Sequence, residues 1–504
     1  MLNLVYFEIV MQNKISKYAK KLNGFLSSDY FFWFIIFLFV FQAVWMALSF
    51  RYPMLFDEYY HLGLIQHFSH QWLPWVNDQP TSLDLYGALG RSPYLLYHYL
   101  MSFPFRAVAL FTNDLNLQII MMRLVNIGIF AGGLVIFAQI FKVMKIQSIF
   151  RNIALLFLVL LPVTPFVAAT INYDSAMFLL AAALILIAIQ IINSEKIQWY
   201  NYVLIVLIGM MGSMIKISFV PIFAVIFLFI FIRLFTKHKK RLLYDVARSF
   251  RGSSLLVKVA IFVPFIIVGF IFTERFAVNI VKYHTLAPSC AVQMDEARCL
   301  ANPTAARNEN FIKNKKGVPA RIPSYAATWY NNMVYSSLYT GSNTDDGAKI
   351  GQPLPIIYVV VFIGSIISLA AFFYSFREIE KLSGFWLLIT IILVYITALF
   401  YTTISAYYKY YVPLAIQGRY LLPLLPVIMV FALLSINYVM QKKHVFKLSV
   451  LAIALVLFLN GAGIITHIMR SDDSWYWDNK IVHQVNDGTR KLLKPLVLEQ
   501  WYDR

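Results

Sequence analysis

Charge is what this chain of 504 residues has least of: Asp, Glu, Lys and Arg together make up 13% of it, against 60% hydrophobic residues and a mean hydropathy of +0.67. That balance excludes an ordinary soluble domain, in which roughly a quarter of residues are charged, and implies a polytopic membrane protein. Acidic residues are scarcer still, 24 against 43 basic ones, which leaves a net charge of +19. In so apolar a chain this excess orients helices and meets anionic headgroups, so membrane lipids are expected partners and nucleic acid is not. Cys290 and Cys299 are the only cysteines and lie in one polar stretch, which excludes a cysteine metal cluster and points to an external disulfide closing a small loop. Also missing are a Gly-x-Gly-x-x-Gly fingerprint, a soluble α/β region to hold a nucleotide, a His-Glu-x-x-His signature and any internal repeat. A cleavable signal peptide is not expected either: the first apolar run is long and follows a polar segment, so it should serve as the signal anchor.

What is present is a succession of apolar runs. Tyr30 to Phe50 carries no formal charge and is long enough for a bilayer core of about 30 Å. Lys14, Lys17, Lys20 and Lys21 precede it, and the positive-inside rule places residues 1–29 in the cytoplasm. The first external loop, 51–93, is polar and aromatic and suits interfacial helices. The stretch 94–111 is apolar but short and contains His98, Pro104 and Arg106; it is read as interfacial, because a span there would put Lys142, Lys145 and Arg151 outside. Spans then follow near 117–141, 152–170, 174–192, 198–217, 218–235, 257–273, 354–375, 384–404, 412–437 and 448–467. The expectation is an all-α protein of about 11 transmembrane helices, with Lys237–Arg251 and Lys442–Lys447 as cytoplasmic loops. Two helices share only 198–235, which calls for a tight hairpin or a half-helix. The expected organisation is a membrane core over 30–273, a large external loop over 274–353 that covers a substrate site, a helical module over 354–467 and an external tail over 468–504.

Four short constellations carry candidate chemistry. Asp57, Glu58 and His61 follow the first span; on a helix Asp57 and His61 share a face, so a carboxylate and an imidazole could grip a hydroxyl or a metal together. Asn172-Tyr173-Asp174 lies at the mouth of a helix on the same expected side, where Asp174 is an acidic candidate and Asn172 a helix cap. Lys216 is a lone cation at the hairpin, suited to a lipid phosphate or to snorkelling. Gln417-Gly418-Arg419-Tyr420 offers a guanidinium fork for phosphate oxygens, with Gly418 admitting a ligand to the backbone; the competing reading is a structural ion pair to Asp57 or Asp174. Arg123 and Asn126 share a helix face and are expected to pack without chemistry.

An acidic pair after the first span, a second acidic position after the third, interfacial helices between the first two spans and a large loop after the seventh resemble the GT-C membrane glycosyltransferases, including protein O-mannosyltransferases and lipid A aminoarabinose transferases. The set Asp57-Glu58-x-x-His61, Asn172-Tyr173-Asp174, Lys216 and Gln417-Gly418-Arg419-Tyr420 resembles still more closely an uncharacterised bacterial multi-pass family of that superfamily, over about residues 30–467. No counterpart of the mannosyltransferases' Pro-Pro-Leu element is present beyond a partial echo at Ser92-Pro93-Tyr94. The resemblance implies a bacterial inner-membrane enzyme that transfers a sugar, with inversion, from a polyprenyl-phosphate donor to a glycan, lipid or protein acceptor on the extracytoplasmic face. It implies Asp57 as catalytic base, Glu58 and Asp174 as its acidic partners, and Lys216, Arg419, Tyr420, Gln417 and His61 as substrate contacts. A divalent metal on Asp57, His61 and Asp174 is a further expectation. The rival readings are a transporter or flippase for lipid-linked or anionic substrates, which needs charge along a route through the bilayer, and an envelope scaffold.

Overall fold

Ser28 opens the first helix, Asp29–Ser49, by accepting a hydrogen bond from the Phe31 amide (3.1 Å), and Asp29 meets the positive end of the helix dipole. The helix stops at Phe50, where the carbonyls of Ala47 and Phe50 accept bonds from Arg123 (3.0 and 2.6 Å). The computed structural model describes residues 21–76, 78–238, 242–315, 318–338, 355–440, 452 and 463–496. Among them the chain is helical, with one isolated bridge between Phe50 and Tyr476 and no strand. The expected all-α class holds.

Seven helices are long and apolar enough to cross a membrane: Asp29–Ser49, Leu115–Val143, Asp174–Asn193, Ile217–Lys237, Leu255–Tyr283, Tyr358–Ile379 and Phe385–Tyr410. An eighth arises if Ser148–Leu160 and Val163–Ala169, bent by 69° around Pro162, count as one. The expected number near eleven is therefore not confirmed, for local reasons. Over 198–217 the helix is only Trp199–Ile215, because the chain turns back at Lys216 through Ile217–Phe219, making the tight hairpin. Over 412–437 the helix starts at Leu425; the preceding residues turn past Pro413 and through a 3₁₀ turn at Gly418–Leu421. The expected span 448–467 lies mostly outside the described residues, as do the basic residues Lys14–Lys20 and Lys442–Lys447, the end of the 274–353 insertion and the last residues of the tail.

Over 94–111 the chain forms Leu96–Ala109, which is not among the candidate spans. It packs on Glu58–Ser69 as a helical hairpin, and its Arg106 donates to the carbonyls of Phe68, Ser69 and Gln71, closing the C-terminus of that helix. The span expected to end at 273 instead continues through a π-turn, Thr273–Ala277, to Tyr283. The insertion beyond it is helical rather than a plain loop: Pro303–Lys313 and Ile322–Leu338 lie within it, the latter packing Tyr325 and Trp329 on Phe400.

The core of the bundle is the contact between Leu115–Val143 and Asp174–Asn193, where Phe130 stacks on Phe178 at 4.2 Å. Gly133 makes that approach possible, since a Cβ there would stand 2.7 Å from Phe178 Cε1 and closer to Cδ1, and Phe178 is fully buried. Gly133→Ala should lower the thermal midpoint: overpacking costs about 1–3 kcal/mol, more than the roughly 1 kcal/mol alanine gains in helix propensity. A raised midpoint in detergent would show that Phe178 can yield.

Candidate functional site

The adjacent acids after the first helix go to opposite sides of the chain. Phe56 and Asp57 both adopt left-handed backbone (φ 66° and 61°), a conformation that is strained for non-glycine residues and persists only where the surroundings hold it. The hold comes from Glu58. Its carboxylate is fully buried and takes both forks of Arg123 (Nε to Oε1 2.8 Å, Nη2 to Oε2 2.7 Å) as well as the amides of Met54 (2.6 Å) and Ile171 (3.1 Å). Glu58, expected as a catalytic partner, is thus an anchor with its oxygens occupied. Arg123, expected only to pack, is what neutralises it while closing the first helix. Asp57 is the opposite case: its side chain caps nothing, is exposed, and among the described residues forms no ion pair.

Asp174, Lys216 and Arg419 meet at the same end of the bundle. Asn172 Oδ1 accepts from the Asp174 amide (2.8 Å) while its Nδ2 donates to Val167 and Thr170, an Asx-type turn just before Tyr173, the residue that caps the helix. Lys216 Nζ lies 2.7 Å from Asp174 Oδ1, and Arg419 Nη1 lies 3.1 Å from Oδ2. Both readings of the Arg419 motif therefore meet in one contact: it is ion-paired to Asp174, yet one carboxylate faces two cations and the triad keeps a net positive charge. Lys216 also sits over the rings of Tyr420 (4.2 Å) and Tyr173 (4.6 Å), and Arg419 over Phe56 (4.1 Å). Gln417 Oε1 accepts from Arg419 Nε at 2.5 Å, so neither this bond nor the pair to Asp174 uses Nη2. Gly418 admits no ligand; its backbone is approached by Met333 and Ser337 of Ile322–Leu338, and its amide donates to Ser336 Oγ (2.7 Å).

His61 does not join Asp57. Its ring is buried and its Nδ1 faces Nε2 of His98 at 2.8 Å, with the rings stacked at 5.1 Å. Its other neighbours are Tyr60, Tyr97 and, edge-on at 4.7 Å, Tyr173. Asp174 is taken by its cations. The expected metal set Asp57, His61 and Asp174 is therefore not gathered, and among the described residues no three His, Cys, Asp or Glu groups stand together as a donor set. Burial, with help from His98, Arg419 and Lys216, holds His61 well below its ordinary value, and burial takes His98 down to about 3. An unfolded chain binds protons on both residues below about pH 6.5, whereas the folded chain does not, so stability is full above that value and falls as pH drops toward 3. The thermal midpoint should fall between about pH 7.5 and pH 5, and a His61→Asn/His98→Gln variant should flatten that fall. A pH-independent wild-type midpoint would contradict the buried neutral pair.

Asp57, Glu58 and Arg419 border a cavity of about 580 Å³, whose walls also include Tyr59, Arg307, Ser336 and Gln417. Arg307 reaches it from Pro303–Lys313, a helix held against the first loop from several directions. Arg298 makes a two-pronged pair with Asp84 (2.6 and 2.8 Å) and reaches the Gln79 carbonyl. Asn302 donates to the Leu85 carbonyl (2.8 Å), and Arg91 binds Glu274 (2.7 Å) and Asn279 (2.8 Å). The disulfide Cys290–Cys299, expected from the sequence, lies within the same clamp. Of the functional neighbourhood, sequence reasoning missed Arg123, His98 and Arg307. The first had a signal, a lone arginine in a long apolar helix; the last had none.

Residues 88–428, well over half of the chain, match the family described as predicted membrane protein (DUF2142), and the chain belongs to that family. No curated protein matches the chain.

Proposed function

We propose that this family member is a GT-C-like glycosyltransferase that moves a sugar from a polyprenyl-phosphate donor to an acceptor on the extracytoplasmic face. The observation that carries this reading is the contrast between two neighbouring groups on one cavity wall: Asp57, a carboxylate exposed and free of ion pairs among the described residues, and Arg419, part of a buried triad with excess positive charge. In the reaction the acceptor hydroxyl oxygen attacks the anomeric carbon as the bond from that carbon to the phosphate oxygen breaks. The electron pair leaves on the lipid phosphate, the hydroxyl proton passes to Asp57, and the configuration inverts. Arg419 is placed to meet the departing phosphate through Nη2, while Asp174 and Gln417 fix the guanidinium and Lys216 adds positive charge behind it. Glu58 and His61 are assigned positioning rather than proton transfer, and no step runs through a metal. The positive-inside rule gives the orientation, with Asp57 outside if the amino end is cytoplasmic.

The test is consumption of donor by the purified protein in liposomes supplied with radiolabelled polyprenyl-phosphate sugars and an envelope extract as acceptor. Release of polyprenyl phosphate with movement of label into acceptor is expected. If label crosses the bilayer while still attached to its lipid, the flippase reading replaces this one.

A further inference from the structure

We infer that Arg307 recognises an anionic group on the acceptor, a phosphate or carboxylate, at a second subsite of the cavity that Arg419 also lines. The charges facing the cavity suit a partner of that kind. Glu58 lines it but is neutralised inside the protein by Arg123. Asp174 is shared between Lys216 and Arg419, so that group presents one positive charge. Asp57 supplies one negative charge, and Arg307 adds a second positive one on the insertion's side. The cavity thus carries a net positive charge, and its two guanidinium groups stand on separate chain segments.

Nearby acids do not match it either. Glu309, two residues along, pairs with Lys313 (3.6 Å), and within its own helix Arg307 bonds the Asn308 side-chain oxygen (3.2 Å) and lies over the Phe311 ring (5.9 Å). The side chain is exposed, and beyond the Nη2 bond to Asn308 its planar fork keeps donors suited to an oxyanion. Meanwhile the helix bearing it is fixed: Asn302 caps it through the Ala305 amide (3.0 Å) and ties it to Leu85, and the Arg298–Asp84 pair anchors the turn before it. A rigid support under a cavity-lining arginine that forms no ion pair among the described residues is an arrangement for binding a ligand from solution. The inference rests on the transfer reading only in naming the ligand an acceptor; the binding needs no turnover.

Two soluble and lipid probes separate the subsites. Binding of glycerol 3-phosphate and of farnesyl phosphate to the full chain in detergent is measured for wild type, Arg307→Gln and Arg307→Lys. Arg307→Gln should weaken glycerol 3-phosphate about tenfold, the usual loss of a charge-assisted bond, and Arg307→Lys should restore part of it. Farnesyl phosphate should bind the three proteins within about twofold. Equal binding of glycerol 3-phosphate by wild type and Arg307→Gln overturns the inference. Equal weakening of both probes also overturns it, by assigning Arg307 to the donor. Since Arg307 is exposed and forms no ion pair among the described residues, its variants should retain the fold, and neither result depends on whether sugar transfer is observed.

Discussion

Asp57→Asn should lower kcat for sugar transfer by about 10²- to 10⁴-fold, the contribution of a positioned general base, with donor affinity and thermal midpoint unchanged. The substitution is unusually clean at this position. Asp57 has left-handed backbone, and asparagine is among the few residues that adopt it readily, so the strained turn from Phe56 to Glu58 survives. Its side chain makes no cap bond, is exposed and forms no ion pair among the described residues, so the substitution breaks no structural bond among them. Asp57→Ala is the poorer experiment, because it adds backbone strain to the lost carboxylate. Glu58→Gln gives the contrasting result: a lower midpoint through the weakened pair to Arg123. Unchanged kcat in Asp57→Asn would remove the base from the mechanism and leave the cavity as a binding site.

Composition and apolar runs were enough to read the all-helical membrane class, and most spans fall within a few residues of where hydropathy puts them. The count is not confirmed where hydropathy carries no information about chain direction. Nothing in the run over 412–437 says that the residues before Leu425 fold into a turn around Arg419, because the turn is held by tertiary contacts, Gly418 against Ile322–Leu338 and the Tyr395 hydroxyl on the Tyr420 carbonyl (2.6 Å). For the site, charged residues in an apolar chain were legible as a group: Asp174, Lys216 and Arg419 stand in direct contact. Their partnerships were not. An i, i+4 argument put Asp57 with His61, but the left-handed turn at Phe56 and Asp57 rotates the carboxylate away from the helix face that His61 uses, and a distant His98 takes the imidazole. Adjacent carboxylates look equivalent in a sequence. Only the position of Arg123, 65 residues further on, separates the anchored acid from the open one.

That separation gives the largest stability effect expected in the protein. Arg123→Met should destabilise the fold by about 3–5 kcal/mol, the loss typical when one member of a buried ion pair is removed and its partner's charge is left without compensation. Both side chains are fully buried here, so water cannot reach the orphaned carboxylate of Glu58. The same change strips the bonds to the Ala47 and Phe50 carbonyls that close the first helix, exposing acceptors at its negative end. Glu58→Gln should partly rescue Arg123→Met, since a neutral amide oxygen can still accept from the Met54 or Ile171 amide without burying a charge. Thermal midpoints of the two single variants and the double variant in detergent would measure the coupling. The double should be more stable than Arg123→Met alone; strictly additive losses would mean that Glu58 is protonated or hydrated once Arg123 is gone. Replacing both by apolar residues should not restore the wild-type midpoint, because the Met54 and Ile171 amides and the helix-end carbonyls then lose their partners together. The pair organises an outward Asp57 beside a sealed Glu58, and its disruption should lower transfer as well by collapsing the turn that presents the proposed base.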